Sequence, residues 1–595
     1  MIVTRIDETL AQYRLLDTTR AYALEKLEEH AELNVVLRRH AEYVAGYLES
    51  QRVALLAVAR PERAAAYPSP SGSIRVAPEW SFEPRGDNEV LGGPPTVSAH
   101  FSQLGNIRAA LEWSLGPSGD DEIATRLAAA STPLFLELSL LIECRVWAER
   151  AIAGLGDQHK NSRREMEIYT SLSLALMHSE GSSELVRQAF SRALDVAAVQ
   201  GDFAYELQLL SGLSRYYRWN NDINAALDIA SRSKKVALKT KNPDDIALAE
   251  AMLGAALHLA GNHPIAITHF EAGLSHAESG RFRAGQHLFD HSSLLLVGMA
   301  RCLLFTGLLD QALYYATRAI EEGKKSNHPA TLCRSLSLVL PVYLALADFR
   351  RSEQYIAQLT ELAADYSLKP YRAVAMGLRG QWLFHQNDLR EGVPLLMRAL
   401  EELDAQRHDS LTMDFVCDLA AGLIAMGEHQ EALALTVNEI DAQGRGGKFL
   451  YMSALFRTKG LILASRSTED LFEAEESLLL AIDWAKRQSA TLFELTAAAD
   501  LADLMQKQGR GPEAYKYLNA AFDRTPAGMV SPAHERVLKI LERPDPASRP
   551  WAKADTFDYP ALSAQSHTNP RILLQARPAR PGACCGPNTK RGSMP

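Results

Sequence analysis

The chain has 595 residues, of which 47% are hydrophobic and 23% charged, the proportions of an ordinary water-soluble protein. Its 63 basic and 72 acidic side chains give a formal net charge of −9, which argues against direct binding to a nucleic-acid backbone. The most apolar segment, residues 293–316, is interrupted by Arg301 and Asp310, and the N-terminus lacks the pattern of a signal peptide, so neither a membrane span nor secretion is predicted.

Residues 1–51 are predicted to contain a β-hairpin and two helices. The alternating runs IVTRI and AQYRLL are typical of two short strands, and helical patterns follow over residues 18–30 and 34–51. A lone hairpin is marginally stable in water, so this one needs a packing partner. A hairpin followed by helices fits the wing of a winged-helix domain whose first half precedes Met1, and we predict a winged-helix remnant here.

Three further segments differ in composition. Residues 52–99 are rich in proline and glycine, which predicts a linker or insertion. Residues 100–200 regain a helical period with a poor repeat consensus, which predicts a helical adaptor or capping segment. Residues 542–595 contain nine prolines and no helical period, and they are predicted to form a disordered tail.

Residues 201–541 contain a repeated pair of helices. In the unit AMLGAALHLAGNHPIAITHFEAGL, Gly254, Gly261, Ala266 and Phe270 have the spacing of a helix, a tight turn and a second helix, as in tetratricopeptide (TPR) repeats. Such a unit cannot bury its apolar face alone, so stacked units are expected to form an all-α superhelix, a TPR-like α-solenoid, with a concave groove. Aligned on Gly261, the other predicted turn residues are Asn221, Gly307, Ala347, Asn387, Gly427 and Gly509, each followed five positions later by a small residue.

The concave groove is the expected ligand site. In TPR arrays the groove is lined by the first helix of each pair, so residues of that helix are candidates for contact with a protein, a peptide or a small effector. Arg215, Arg218 and Arg301 fall in the first three repeats, where guanidinium groups could clamp a carboxylate or phosphate bidentately. The candidate set is Arg215, Arg218, His258, Arg301, Gln381, Asp503 and Gln506.

Neither a metal site nor a catalytic site is expected. His287 and His291 are one helical turn apart, and other histidines, including His258 and His263, lie near Gly261, but no cysteine or glutamate completes a ligand set with them. The sequence contains no nucleophile elbow, zinc-hydrolase helix or carboxylate pair in a glycine-bounded loop. We therefore predict that the chain is not an enzyme and binds no cofactor.

The six cysteines give no sign of a disulfide framework. They occur at positions 144, 302, 333, 417, 584 and 585 without ligand spacing, and the first four fall inside apolar helical patterns. Buried cysteines of this kind behave as small apolar residues, and they stay reduced inside the cell. We therefore expect a cytoplasmic protein.

Several segments carry a family resemblance. They are YRLLDTTRAYALEKL followed by LRRHAEY, then QLGNIRAALEWSLGPSGD, and the closing PEAYKYLNAAFDR. These segments resemble the predicted-ATPase class of bacterial transcriptional regulators, which are signal-transduction ATPases with numerous domains (STAND). The resemblance implies a non-catalytic sensor or scaffold that binds a protein, peptide or small effector in its groove and restrains output modules.

Two modules of that family have no counterpart in the sequence. No G-x-x-x-x-G-K-[ST] motif occurs, and the nearest glycine cluster, GRGGKF at residues 444–449, lacks its spacing and its hydroxyl group. The basic recognition helix that would read DNA is also absent. Nucleotide hydrolysis and direct DNA binding are therefore not carried over, and an NTPase or DNA-binding module is expected upstream or in trans. The alternative interpretation is a freestanding TPR adaptor that mediates protein–protein interactions.

Overall fold

The computed structural model describes residues 2–7, 10–15, 17–57, 95–279, 291–326, 329–409, 411–526 and 529–541. The chain divides into one unit of residues Met1–Ala552 and a second of Lys553–Pro595. The second unit, the predicted tail and most of the predicted linker lie outside the described residues. No helix within the described ranges is both long enough and apolar enough to cross a bilayer.

The described part of the chain contains two β-strands, 24 α-helices and two short 3-10 helices, Asp157–His159 and Thr468–Asp470. Strands β1 (Ile2–Asp7) and β2 (Leu10–Leu15) pair antiparallel, with Ile2 opposite Leu15. The helices are, in order, α1 (Asp17–Glu29), α2 (Leu33–Ala57), α3 (Pro95–Ser114), α4 (Asp121–Glu137), α5 (Leu141–Ala153), α6 (Arg163–Glu180), α7 (Glu184–Gln200), α8 (Phe203–Trp219), α9 (Ile223–Thr240), α10 (Pro243–Leu259), α11 (His263–Ser279), α12 (His291–Phe305), α13 (Leu309–Lys325), α14 (Pro329–Ala345), α15 (Phe349–Asp365), α16 (Lys369–His385), α17 (Leu389–Ala405), α18 (Thr412–Ala425), α19 (His429–Gly446), α20 (Met452–Arg466), α21 (Leu471–Gln488), α22 (Thr491–Lys507), α23 (Gly511–Phe522) and α24 (Pro532–Leu541).

Helical structure extends into the predicted linker from both sides. Helix α2 continues to Ala57, and helix α3 begins at Pro95 rather than at His100. Proline is favoured in the first turn of a helix because its missing N–H would have no partner there. The proline-rich segment that was predicted to be a linker therefore also contains the start of a helix.

Helices α6 to α23 form nine consecutive pairs in which each helix packs on the next. First helices of adjacent pairs also touch, as α10 does with α12 and α14 with α16. This arrangement is the predicted all-α, TPR-like helical-repeat array. It begins at α6, so the pairs extend into the segment that was predicted to be an adaptor, residues 100–200.

The seven predicted turn residues close the first helix of their pairs, and all seven have a positive φ, between 55° and 86°. A left-handed residue at this place reverses the chain and lets the last carbonyls of the helix accept hydrogen bonds. At Ala347, the N–H of Asp348 donates to the carbonyl of Tyr343 at 2.9 Å. The small residues five positions later are also confirmed as buried, namely Ala226, Ala266, Ala312, Ser352, Gly392, Ala432 and Ala514.

Ala347 offers a test of this turn, because its φ of 55° disfavours a side chain with a Cβ atom. Ala347→Gly is expected to stabilise the local structure by about 0.5–1 kcal/mol, since relief of the left-handed strain exceeds the entropy cost of a new glycine. Hydrogen exchange at α14 and α15 measures the change. The matched control, Ala357→Gly on the exposed side of α15, should lose about 1 kcal/mol. Equal destabilisation by both variants would contradict the interpretation of the turn.

Aromatic rings fill the spaces left by glycines on facing helices. A Cβ atom built on Gly254 would lie 2.7 Å from the ring of Phe270, and one built on Gly298 would lie 2.1 Å from it. The three residues belong to α10, α12 and the α11 helix between them, and Phe270 is fully buried. The close approach of these helices therefore depends on glycine at both positions.

Successive turns of the coil touch one another through their loops. The N–H of Asp409 donates to the carbonyl of Trp219 at 3.0 Å, and the N–H of Leu450 donates to the carbonyl of Leu259 at 3.1 Å. A full turn therefore takes about five to six helix pairs. The same kind of contact joins Ser182 N–H to the Gln406 carbonyl at 3.1 Å and the Asn221 side-chain amide to the Ala442 carbonyl at 3.3 Å.

Candidate functional site

A cavity of about 110 Å³ lies on the concave side of the array. Six successive first helices contribute to it, namely α8, α10, α12, α14, α16 and α18. The loops that touch the previous turn close it with His408, Asp409, Lys448 and Tyr451. The lining combines apolar side chains such as Trp219 with several basic groups, a mixture that is typical of ligand sites.

Four of the seven sequence candidates, Arg215, Arg218, His258 and Arg301, line this cavity. They lie six or three residues before the turn residues of their pairs. Positions three residues apart share one face of a helix, and this face lines the cavity in the first repeats. The structure therefore brings the basic part of the candidate set together.

The other three candidates, Gln381, Asp503 and Gln506, do not line this cavity. Gln381 donates from Nε2 to Asp418 Oδ2 at 2.7 Å, and Asp503 pairs with Arg536 beside a separate cavity near α24. Gln506 is half-buried on α22 and belongs to neither cavity. The coil rises along its axis from one repeat to the next, so equivalent positions in later repeats lie at a different height along this axis.

The sequence analysis missed Arg334, which lines the cavity and is 7% exposed. The position of α14 equivalent to Arg301 is Pro341, and Arg334 lies seven residues before it. Seven residues are two helical turns, so both positions share one face. The spacing of Arg334 could have been found in the sequence. The sequence does not show that His408, Lys448 and Tyr451 reach the cavity, because they come from loops of the next turn of the coil.

Arg215, Arg218 and Arg334 form a cluster of guanidinium groups, called here the arginine cluster. Burial, followed by repulsion from Arg334, lowers the pKa of Arg215 to about 9 and that of Arg218 to about 10, so both remain protonated at neutral pH. The Nε atom of Arg218 is buried and has no hydrogen-bond partner among the described residues. Nη1 of Arg215 lies 3.5 Å from Nε2 of His178.

Only one carboxylate, Asp409, occurs among the described residues that line the cavity, and Lys448 Nζ lies 3.0 Å from its Oδ2. The negative charge of Asp409 therefore compensates the charge of Lys448 rather than the charges of the arginine cluster. Five cationic side chains and one carboxylate line the cavity, and Asp414 outside the lining compensates one of the cations, Arg301. Like charges held in a space with little water repel strongly, so the arrangement favours an anionic ligand.

Arg301 has its own partners. Its Nη2 donates to the hydroxyl of Tyr451 and lies 3.5 Å from Asp414 Oδ2, and that hydroxyl donates to the same Oδ2 at 2.6 Å. Burial lowers the pKa of Arg301, but Tyr451 and Asp414 outweigh it and raise the pKa above its ordinary value. Arg301 thus belongs to a buried, charge-matched network at the edge of the cavity.

One donor atom from each of His258, His263 and Cys302 lies within 4.8 Å of those of the other two. The expectation that no cysteine joins the histidines near Gly261 is therefore wrong, because helix α12 brings Cys302 to them. His287 and the side chain of His291 lie outside the described residues. The convergent trio is the set of described residues suited to hold a metal ion.

Among known proteins, matches to this chain occur in solved structures. No protein-family model and no curated protein matches the chain. Among solved structures, a Rap protein in complex with Competence and Sporulation Factor is 10% identical, with a TM-score of 0.42 over 70% of this chain and 99% of that one. NprR in complex with its cognate peptide NprX is 16% identical, with a TM-score of 0.41 over 60% and 97%. A STAND protein with a tetratricopeptide repeat sensor from Pyrococcus horikoshii is 13% identical, with a TM-score of 0.36 over 72% and 69%.

Proposed function

We propose that the chain is a non-catalytic helical-repeat sensor that binds an anionic group of a peptide, protein or small effector in its concave cavity. The observation that carries the proposal is the arginine cluster, in which three guanidinium groups share a cavity; among the described residues that line it, the one carboxylate, Asp409, faces Lys448. A carboxylate or phosphate placed between them would gain charge-assisted hydrogen bonds and would relieve the repulsion.

The size of the cavity limits which ligands it can hold. A volume of about 110 Å³ holds a phosphate, a carboxylate or the end of a peptide rather than a folded segment. Next to the basic groups, apolar side chains such as Leu259, Val297 and Leu338 provide a surface for the carbon part of the ligand. The proposed ligand therefore combines one anionic group with a short apolar body.

The proposal places this sensor in a STAND-type transcriptional regulator. Support comes from the sequence resemblance at residues 13–27 and from the hairpin followed by α1 and α2, which we take as a winged-helix remnant. An in-frame P-loop NTPase encoded ahead of Met1, or by an adjacent gene, would strengthen this assignment. Its absence from both places would favour the freestanding adaptor.

Titration with inorganic phosphate and, separately, with N-acetylglycine at constant ionic strength tests the anion site. Calorimetry and thermal melting of the wild type should show binding and a rise in Tm with at least one of the two anions. In Arg218→Met, affinity should fall about tenfold or more, because one charge-assisted hydrogen bond contributes about 1.5–3 kcal/mol. The ligand-free variant should melt at a higher temperature than the ligand-free wild type, because one of three repelling charges is removed.

The control variant Arg350→Met removes an exposed arginine of α15 and should leave both readouts unchanged. A merely structural role of Arg218 would instead lower the Tm of the ligand-free variant. The proposal is wrong if neither anion binds the wild type, or if Arg218→Met binds as tightly as the wild type does.

A further inference from the structure

We infer that His258, His263 and Cys302 form a zinc-binding site in the wall of the coil. The inference does not depend on the proposed anion ligand. His258 lies in the last turn of α10, His263 begins α11 directly after the tight turn at Gly261, and Cys302 lies on the adjacent first helix, α12. The left-handed Gly261, with φ of 82°, folds the two histidines back against each other.

The distances fit coordination of one ion. Nδ1 of His258 lies 3.0 Å from Nδ1 of His263 and 3.2 Å from Sγ of Cys302. A tetrahedral zinc ion with ordinary Zn–N and Zn–S bonds separates two nitrogen ligands by about 3.4 Å and a nitrogen from a sulfur ligand by about 3.6 Å. Those two distances need to lengthen by about 0.4 Å each to match a bound ion, and the donor atoms of His263 and Cys302 lie within 4.8 Å of each other.

Hydrogen bonding alone leaves this cluster poorly satisfied. The neutral ring nitrogen Nδ1 of His258 has either one lone pair or one proton, yet it faces both His263 Nδ1 and Cys302 Sγ. It can therefore make one good hydrogen bond of the two. Nε2 of each ring, which would carry the proton when Nδ1 binds an ion, is buried and has no hydrogen-bond partner among the described residues, and the ion would not change this.

All three donor side chains are buried. Burial first, then the neighbouring His263 and Arg301, lowers the pKa of His258 well below its ordinary value. Burial and Arg301 lower the pKa of His263 to about 3. Burial keeps Cys302 a thiol, and coordination would transfer its proton to the buffer as the sulfur bonds the ion.

The ligand set limits the charge that a metal ion would add to the site. Arg301 is the neighbouring positive group and contributes to the low pKa of both histidines, although Asp414 pairs with it. A thiolate ligand reduces the charge of Zn²⁺ by one unit. The cysteine and histidine donors are those that zinc prefers over magnesium or calcium, and three protein ligands leave a fourth position for water or another donor.

The test uses the untagged full-length chain. After dialysis against zinc and then metal-free buffer, the wild type should retain one zinc ion per chain. Replacement by Co²⁺ should give visible bands of tetrahedral cobalt and a thiolate-to-cobalt charge-transfer band in the near ultraviolet. Cys302→Ala should lose the charge-transfer band, whereas Cys333→Ala, which removes an equally buried thiol of α14, should keep it.

A measurement on the zinc-loaded wild type remains decisive if the Cys302 variant fails to fold. X-ray absorption should show one sulfur at about 2.3 Å and two imidazole nitrogens at about 2.0 Å. Failure of the wild type to retain stoichiometric zinc would overturn the assignment. Absorption without a sulfur ligand, or a charge-transfer band that persists in Cys302→Ala, would also overturn it.

Discussion

Gly254→Arg is expected to unfold the helix pairs on both sides of it. A Cβ atom alone would lie 2.7 Å from the Phe270 ring, and the longer side chain would place a cation where α10, α11 and α12 meet. Overpacking and a buried unpaired charge each cost several kcal/mol, so a loss of about 4 kcal/mol or more is expected. Because each pair is stabilised by its neighbours, hydrogen exchange should rise across α8 to α13.

Gly46→Arg provides the matched control for this variant. Gly46 is an exposed residue inside helix α2, and a Cβ atom there would meet nothing within 4 Å. Arginine has the higher helix propensity, so this change should leave stability equal or raise it by less than about 1 kcal/mol. An unchanged urea midpoint for Gly254→Arg would contradict the close packing of Phe270 against α10.

Asp414→Ala should be nearly as damaging, because it leaves the Arg301 guanidinium buried without its carboxylate. Arg301 is 6% exposed, and the Asp414 carboxylate also accepts a hydrogen bond from the Tyr451 hydroxyl at 2.6 Å. Removal of one partner of a buried ion pair costs about 3–5 kcal/mol. Urea denaturation of the variant and the wild type measures the loss.

A second substitution separates the charge effect from lost packing. In Asp414→Ala with Arg301→Met, the buried charge is absent, and most of the lost stability should return. The control Asp483→Ala breaks an ion pair with Arg487 whose side chains are 47% and 65% exposed, and it should cost less than about 1 kcal/mol. Equal losses for Asp414→Ala and the double variant would show that packing, rather than charge, holds this network.

Local features of the fold could be predicted from the sequence. Gly261, Asn221 and even Ala347 were identified as turns from their spacing alone, and all adopt the left-handed φ that such a turn requires. The same alignment located the buried small residues, such as Ala266 and Ser352. These predictions succeed because a helix, a tight turn and a close contact depend on residues a few positions apart.

Which residues line the cavity depends on how the coil winds, and an alignment of the repeats does not carry that information. Lys448 and Tyr451 reach the cavity from the next turn of the coil, and Asp503 misses it because the axis has risen by then. Cys302 joins His258 across adjacent pairs, a contact set by the packing of α12 against α10. Position-by-position alignment treats all repeats as equivalent and therefore cannot find such groups.

Backbone hydrogen bonds hold neighbouring turns of the coil together. A ligand that moved these turns apart would have to break bonds such as Asp409 to Trp219 and Leu450 to Leu259. A few such bonds contribute on the order of 2–5 kcal/mol, which is within the range that a well-paired anion supplies on binding. The spacing between neighbouring turns can therefore change only when binding supplies free energy of this size.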